Sequence, residues 1–277
     1  MSILKIKTRE GYTMKVLSEL LQGYLKDSCF IVDEKGIRLV GVDKLLSTGT
    51  VLIDLDLKST SFAPFTLNHP DKRLSLGMNL MFLHKTLKPI RKKDYLTLLL
   101  DSTRPTELGV KIGQGDITGN TMSHLVITNI NPVEVDIPQG YRDPIKTTSK
   151  EFQKIKTLNK MSKQVKVTSD GTTISFYAGT ENLWSRQITL GEVDDTDSSP
   201  QEQKNVYSQT FEMKKIVQLI KMAGLSNIVQ IYIGQNLPLK FELNVGTLGK
   251  ICVYLKSMER IEAEKREEED SQPYLNK

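Results

Sequence analysis

The sequence predicts an α+β fold of two similar halves, each with two helices packed on antiparallel sheets. Three observations carry this. A helix-like segment followed by two short strand-like segments recurs four times along the 277 residues. Two of these units lie on each side of a proline-bearing stretch, "NINPVEVDIPQGY" (Asn129 to Tyr141), that keeps neither the helical nor the strand period for long. The apolar residues of each helix share one face, which suits packing on a sheet.

The first unit runs from the helical "TMKVLSELLQGYLK" (Thr13 to Lys26) into "CFIVDEKGIRLVGVD", two strands around a turn at Asp33 to Gly36. The second follows "NLMFLHKTLK" (Asn79 to Lys88) with "YLTLLLD" and "ELGVKIG". In the third, "SKEFQKIKTLNKMSK" (Ser149 to Lys163) precedes "VKVTSDGTTISFYAG", where Asp170-Gly171 is a strong hairpin signal. The fourth joins "FEMKKIVQLIKM" (Phe211 to Met222) to "IVQIYIG" and "LPLKFELNV". Further strands are expected at "TVLIDLDLK", "HLVITNI" and "WSRQITLGE". Residues 1–126 and 142–258 are thus two domains joined by a connector at 127–141. The polar stretch Gly191 to Asn205 reads as a mobile loop, and the charged end 259–277 as a frayed helix or disordered tail.

Hydrophobic content of 38% and charged content of 26% describe a folded chain. No apolar run approaches the roughly 18 residues of a membrane span, and no cleavable leader pattern opens the sequence, so no membrane partner is expected. Cys29 and Cys252 lie apart without metal or redox spacing and read as buried thiols. His69, His84 and His124 are single. The glycines of "KIGQGDITGN" lack the Gly-Lys-Ser/Thr ending of a phosphate loop and read as a hairpin. Asp54 and Asp56 share one face of a strand and read as its outward positions. No catalytic residue, metal site or cofactor is expected.

The charge distribution is more informative than its sum. The net charge is +5, yet the four helical windows hold twelve lysines against Glu19, Glu151 and Glu212, a net of +9 that leaves the rest at −4. At about 100° per residue, Phe152, Ile155 and Leu158 oppose Lys150, Lys154, Lys156 and Lys160. Likewise Ile216, Ile220 and Ala223 oppose Lys214, Gln218 and Lys221, and Leu80, Leu83 and Leu87 oppose Lys85 and Lys88. A surface built only for solubility mixes signs. Lysine stripes without arginine forks or stacked aromatics suit a duplex phosphate backbone, bound without reading sequence. Asn129 to Tyr141 has two readings: it is a tether, or something binds to it.

At this point the residues resemble a known family, the sliding clamps of the proliferating cell nuclear antigen type. "LSLGMNLMFLHKTLK", "GIRLVGVD", "EFQKI", "VDIPQGY" and "LPLKFELNVGTLGKICVYL" match family segments in order and spacing, from about Ile3 to Leu255. The resemblance implies the DNA clamp fold and a pseudo-sixfold ring of three identical chains around duplex DNA, raising the processivity of DNA polymerase. By position, Lys15, Lys85, Lys88, Lys154, Lys214 and Lys221 match basic positions of the family's helices; helical geometry adds Lys26, Lys150 and Lys160. A further basic family position falls on Thr157. The strands that join chains fall on "ELGVKIG" and "NLWSRQITL". A pocket for docking peptides of polymerase and other replication or repair proteins carries over to Val42, Leu52, Val135, Ile137, Pro138, Pro238, Tyr254, Lys256 and Ser257. A separate ATP-dependent loader would open the ring, and the place of action would be the nucleus or a viral replication site.

The sequence also departs from the family. Lys256-Ser257 replaces Ala-Pro, "DKLLSTGTV" is a few residues longer, and Ser169 stands where eukaryotic clamps carry a modified lysine. The basic balance and acidic tail fit a divergent clamp, from a large DNA virus or an unusual eukaryote. The alternatives are one subunit of a heterotrimeric checkpoint clamp and, from another class, a DNA-processing enzyme.

Overall fold

The repeating unit is larger than a helix and two strands. The computed structural model describes residues 2–43, 49–114, 119–180, 183–191 and 207–270. Its N-terminal half contains β1 (Ser2–Thr8), α1 (Gly11–Tyr24), β2 (Asp27–Asp33), β3 (Gly36–Val42), β4 (Val51–Lys58), a short β5 (Phe65–Leu67), β6 (Arg73–Asn79), α2 (Leu80–Leu87), β7 (Tyr95–Asp101), β8 (Glu107–Gly113) and β9 (Thr121–Val126). The C-terminal half contains β10 (Ile145–Thr148), α3 (Ser149–Gln153), β11 (Gln164–Ser169), β12 (Ile174–Thr180), β13 (Trp184–Leu190), β14 (Tyr207–Glu212), α4 (Met213–Leu219), β15 (Ile228–Tyr232), β16 (Leu239–Val245) and β17 (Gly249–Leu255), followed by α5 (Met258–Asp270). Apart from β5, each unit is a lead strand, a helix and a three-strand meander. Every meander takes the lead strand of its neighbouring unit as a fourth member: β1 joins β7-β8-β9, β6 joins β2-β3-β4, β14 joins β11-β12-β13, and β10 joins β15-β16-β17.

Two of these sets fuse. β4 pairs with β17 from Leu57↔Gly249 to Val51↔Leu255, and the product is an eight-stranded antiparallel sheet that runs across both halves. The pairing follows from the alternation of β4: Val51, Ile53, Leu55 and Leu57 are buried while Leu52, Asp54 and Asp56 turn away from the core. At Gly249 a side chain would run into the Asp56 carbonyl oxygen, so only glycine lets the strands meet there. The buried apolar residues of both halves form one continuous cluster.

The helices lie side by side. α1 buries Leu17, Leu20, Leu21 and Tyr24, packs on α2, and on its other side meets α4 and the 3-10 turn Ile220–Gly224 that continues it. α3 likewise passes into a 3-10 turn, Lys154–Lys160. This changes a predicted face. A 3-10 turn advances about 120° per residue, so the buried row of the fourth helix is Met213, Ile216, Leu219 and Met222, and Ile220 and Ala223 are only half-buried. Of the two readings of the charged end, Met258–Asp270 takes the helical one, and its Glu259 carboxylate accepts from the Thr210 amide of β14 at 3.0 Å. The readings for 44–48, 115–118, 192–205 and 271–277 lie outside the described residues. Among the described residues no helix is long and apolar enough to cross a membrane.

Lys215, one residue from the outward Lys214, turns into the seam between halves. Its ammonium donates to Asp43 Oδ2 at 2.9 Å, and its carbonyl accepts from the Tyr24 hydroxyl at 2.7 Å. The Asp43 carboxylate, which is buried, also accepts from Thr50 N, Thr50 Oγ1 (2.5 Å) and Val51 N (2.9 Å). Burial alone would raise its pKa, but the bonds from Lys215, Thr50 and Val51 outweigh burial and hold the carboxyl below its ordinary value. Its folded pKa is therefore below the unfolded one. The stabilisation is complete at neutral pH and is lost as pH falls through the ordinary carboxylate range toward the folded value. Lys215→Met is expected to lower the unfolding free energy in urea by about 1–3 kcal/mol and to flatten the stability loss below about pH 5. Wild-type stability and an unchanged acid limb would show that the pair does not hold the seam.

Candidate functional site

Two surfaces stand out, one cationic and one apolar. On the helix layer Lys26, Lys85, Lys88, Lys150, Lys154, Lys160, Lys214 and Lys221 are exposed. Their settings differ. Lys154 pairs with Glu151 at 2.6 Å and Lys221 with Glu19 of α1 at 3.1 Å, so two of the three acids in the helical windows offset two of the nine expected cations. Lys85 lies over the Phe82 ring at 5.4 Å. Lys15 departs from the expected stripe: it is half-buried, donates to the Ile90 carbonyl at 3.1 Å and stacks on Tyr12, fixing the start of α1 against the turn after α2. That turn adds three exposed cations outside the helical windows, Arg91, Lys92 and Lys93, which have no helical period to mark them because they follow the end of α2. Thr157 is exposed and donates its hydroxyl to the Lys154 carbonyl at 2.8 Å.

On the opposite face of the eight-stranded sheet, register brings distant residues into one row. Val42 of β3 lies beside Leu52 of β4, Leu52 beside Tyr254 of β17, Tyr254 beside Lys240 of β16, and Lys240 beside Tyr232 of β15. The Lys240 ammonium is 4.2 Å from the Tyr232 ring centroid, lies 5.8 Å and 5.9 Å from Tyr141 and Tyr254, and pairs with Glu242 at 2.9 Å. This cluster fixes the Tyr254 ring from behind. The connector passes over the row. It is tied by Ile127 N to Thr106 O and Thr128 N to Gly77 O at one end, and by the Tyr141 hydroxyl to Pro238 O at the other. Among the described residues no backbone–backbone hydrogen bond reaches 129–140. Between connector and row lies a cavity of about 200 Å³, lined by Val42, Leu52, Val135, Pro138, Pro238, Tyr254 and Lys256 of the expected pocket. Gly49, Thr50, Val51, Asp136, Leu237 and Arg260 complete it. Two expected members are placed elsewhere. Ile137 is half-buried but does not line the cavity. Ser257, 2% exposed, is occupied as the start of α5, its hydroxyl accepting from Arg260 N at 3.3 Å.

The sheet edges correct one expectation. "ELGVKIG" is β8, hydrogen-bonded to β7 on one side and β9 on the other, and has no free edge to offer another chain. The edge of that sheet beyond β8 is β9, where Met122 and Val126 (67% exposed) are exposed and Val126 shares a surface depression with the exposed Phe82 of α2. "NLWSRQITL" does hold an edge strand, β13, with Trp184 (52% exposed) preceded by the exposed Leu183.

Catalytic groupings are not apparent in these surroundings. Among the described residues no three or more His, Cys, Asp or Glu come together to hold a metal. Asp56 pairs with Arg38 at 3.7 Å on the outward face of β4, and burial raises Asp54. Cys29 and Cys252 are buried free thiols; burial, with the Glu242 carboxylate alongside, pushes Cys252 up to about 12.

The model of the proliferating cell nuclear antigen N-terminal domain matches residues 3–112, and that of the C-terminal domain matches residues 136–258. The chain is 26% identical over 259 residues to the proliferating cell nuclear antigen of Chaetomium thermophilum, covering 91% of this chain and 97% of that relative. It is 22% identical to a protein of Paramecium bursaria Chlorella virus 1 named "Probable DNA polymerase sliding clamp 1", covering 90% and 94%. A protein of Acanthamoeba polyphaga mimivirus named "Probable DNA polymerase sliding clamp" is 21% identical, over 93% of this chain and 62% of the relative.

The two settings of the surface lysines make a measurable difference. For a fluorescent duplex, Lys150→Ala with Lys214→Ala is expected to lower the slope of log affinity against log salt by about 2. Lys154→Ala with Lys221→Ala should lower it less, because carboxylates already neutralise these groups and fewer counterions are released. Equal slopes would remove the distinction.

Proposed function

The chain belongs to the proliferating cell nuclear antigen family, and from that premise we propose that three copies close into a ring that encircles duplex DNA and holds a DNA polymerase to it. The sliding-clamp function needs no chemistry of its own. The observation that carries it is the division of the molecule into two faces: a continuous layer of helices with outward lysines, and behind the sheet an apolar row under a loosely tied connector. Flexible ammonium groups attract any phosphate backbone and let it move, because no contact depends on base identity. The apolar row offers one desolvated site, suited to an aromatic or aliphatic plug, and beside it the connector backbone at 129–140 makes no backbone–backbone bond among the described residues and can take a peptide strand. The site residues on both faces have these roles in the proposal, except that Lys15, Ile137 and Ser257 stand beside the surfaces rather than touching a ligand. A separate loader driven by ATP opens the ring, and the place of action is the site of DNA replication, nuclear or viral.

Ring closure fits β9 of one copy against β13 of the next, a heterologous contact that repeats until it closes and leaves neither edge open. Light scattering should give the mass of a trimer for the wild type and of a monomer for Val126→Asp with Trp184→Asp. A wild-type monomer would redirect the reading to one subunit of a heterotrimer.

The tether is tested by synthesis on two templates. A ring can thread onto linear primed DNA without a loader but cannot enter a closed circle. Polymerase products should therefore lengthen on the linear template and not on the circle when no loader is present. Leu52→Asp with Val135→Asp should abolish the lengthening while the protein stays trimeric. Equal stimulation on both templates, or full stimulation by the variant, would refute the proposed tether.

A further inference from the structure

The helix α5 lies beyond the segments that carry the family resemblance, and it builds one wall of the apolar cavity. Its first two turns are fixed at several points. The Glu259 carboxylate accepts from Thr210 N at the edge of β14 (3.0 and 3.2 Å). Arg260 N donates to Ser257 Oγ, Arg260 Nη1 to the Asn236 carbonyl at 2.8 Å, and Arg260 Nε to Glu264 Oε1 at 3.0 Å. Glu264 Oε2 takes Lys256 Nζ at 2.6 Å.

The charges of this wall are sorted. α5 as a whole is acidic, with seven acids against three bases over Met258–Asp270. Yet the groups it and the preceding turn present to the cavity are Arg260 and Lys256, while Glu264 lies behind them and does not line it. The other charged lining residue is Asp136, contributed by the connector. The cavity thus has a cationic wall on the α5 side. Arg260 has 44% of its side chain exposed, and its bond to the Asn236 carbonyl holds the guanidinium in place independently of Glu264. An incoming carboxylate can share or replace Glu264 on the planar fork, with charge-assisted hydrogen bonds of the same kind.

We propose that Arg260, supported by Lys256, is a specificity-determining residue of the docking pocket, selecting peptides that carry an aspartate or glutamate beside the apolar plug on the α5 side. This rests on the reading of the cavity as a peptide-docking site. The partner is a protein segment with an apolar, aromatic anchor and an acidic flank. Peptides with basic residues at that position meet like charge and are disfavoured.

The test uses the full-length protein and three labelled synthetic peptides with one shared plug, a leucine and two phenylalanines, flanked by Asp-Asp, Ser-Ser or Lys-Lys. Anisotropy at low salt should rank Asp-Asp above Ser-Ser above Lys-Lys, with about three- to tenfold between neighbours. Arg260→Glu should reverse the order, and Arg260→Lys should keep it with a smaller spread. Circular dichroism verifies that α5 survives; if Arg260→Glu melts it, Arg260→Gln replaces that variant and should collapse the spread. The same order and spread in wild type and variant would overturn the proposal while leaving the pocket standing. Failure of all three peptides to bind the wild type, or binding unaffected by Leu52→Asp, would overturn the docking site itself and the proposal with it.

Discussion

The pairing of β4 with β17 is the constraint on which the rest depends. Without it the chain is two separate halves joined by an irregular connector. With it, one sheet crosses the boundary and α1 is brought against α4, so the helices form a layer rather than two pairs. The polar contacts that cross the same boundary are of two kinds. Asp43 with Lys215 and Tyr24 with Lys215 are buried or nearly so and hold the end of β3 and the end of α1 to α4, whereas Glu19 with Lys221 lies at the surface and adds little energy. The seam also makes the pocket: Leu52 and Tyr254 are register partners across it, so the floor of the cavity exists only where the halves meet.

Much of this was legible in the sequence because it follows from local period. The four helices, their lysines and the hairpins at Asp33 to Gly36 and Asp170-Gly171 obey rules that span only a few residues. What was missed depends on neighbours distant in sequence. β8 and β9 are both short apolar strands, and nothing local says which has a partner on each side. Lys214 and Lys215 are adjacent in sequence, and only the packing of α4 on the seam sends one outward and the other to Asp43. The buried row of the fourth helix changed because its second half tightened into a 3-10 turn, which an assumed period of about 100° cannot anticipate.

The pocket shows the same division. Alternation places Leu52 outward on β4, but its neighbours on the row came from resemblance to a family, since cross-strand register is invisible to a linear reading. Arg260 carried no signal in "MERIEAEKREEED", where charge density suggested a solvated or disordered end. Its place was set by three groups far away or of ordinary appearance: the Asn236 carbonyl, the Thr210 amide that Glu259 caps, and Ser257. A charged segment becomes ordered when its first turn finds fixed partners, and the segment before α5 is the central strand β17.

The two faces must bind by different physics, and the architecture keeps them apart. Contacts to a moving polyanion have to be numerous, exchangeable and individually weak, which suits exposed lysines on long stems whose binding is paid back by counterion release. A docking contact has to be single and desolvated, which suits side chains held rigid by a sheet. The eight-stranded sheet carries both, burying Val51, Ile53, Leu55 and Leu57 under the helices and exposing Leu52 on its other side to the connector. Because the alternation of one strand serves both faces, a shift of β4 by a single residue would send its core residues outward and bring Asp54 and Asp56 into the core. The register of the seam therefore sets the helix layer and the pocket together, and a slip of β4 cannot disturb one face without the other.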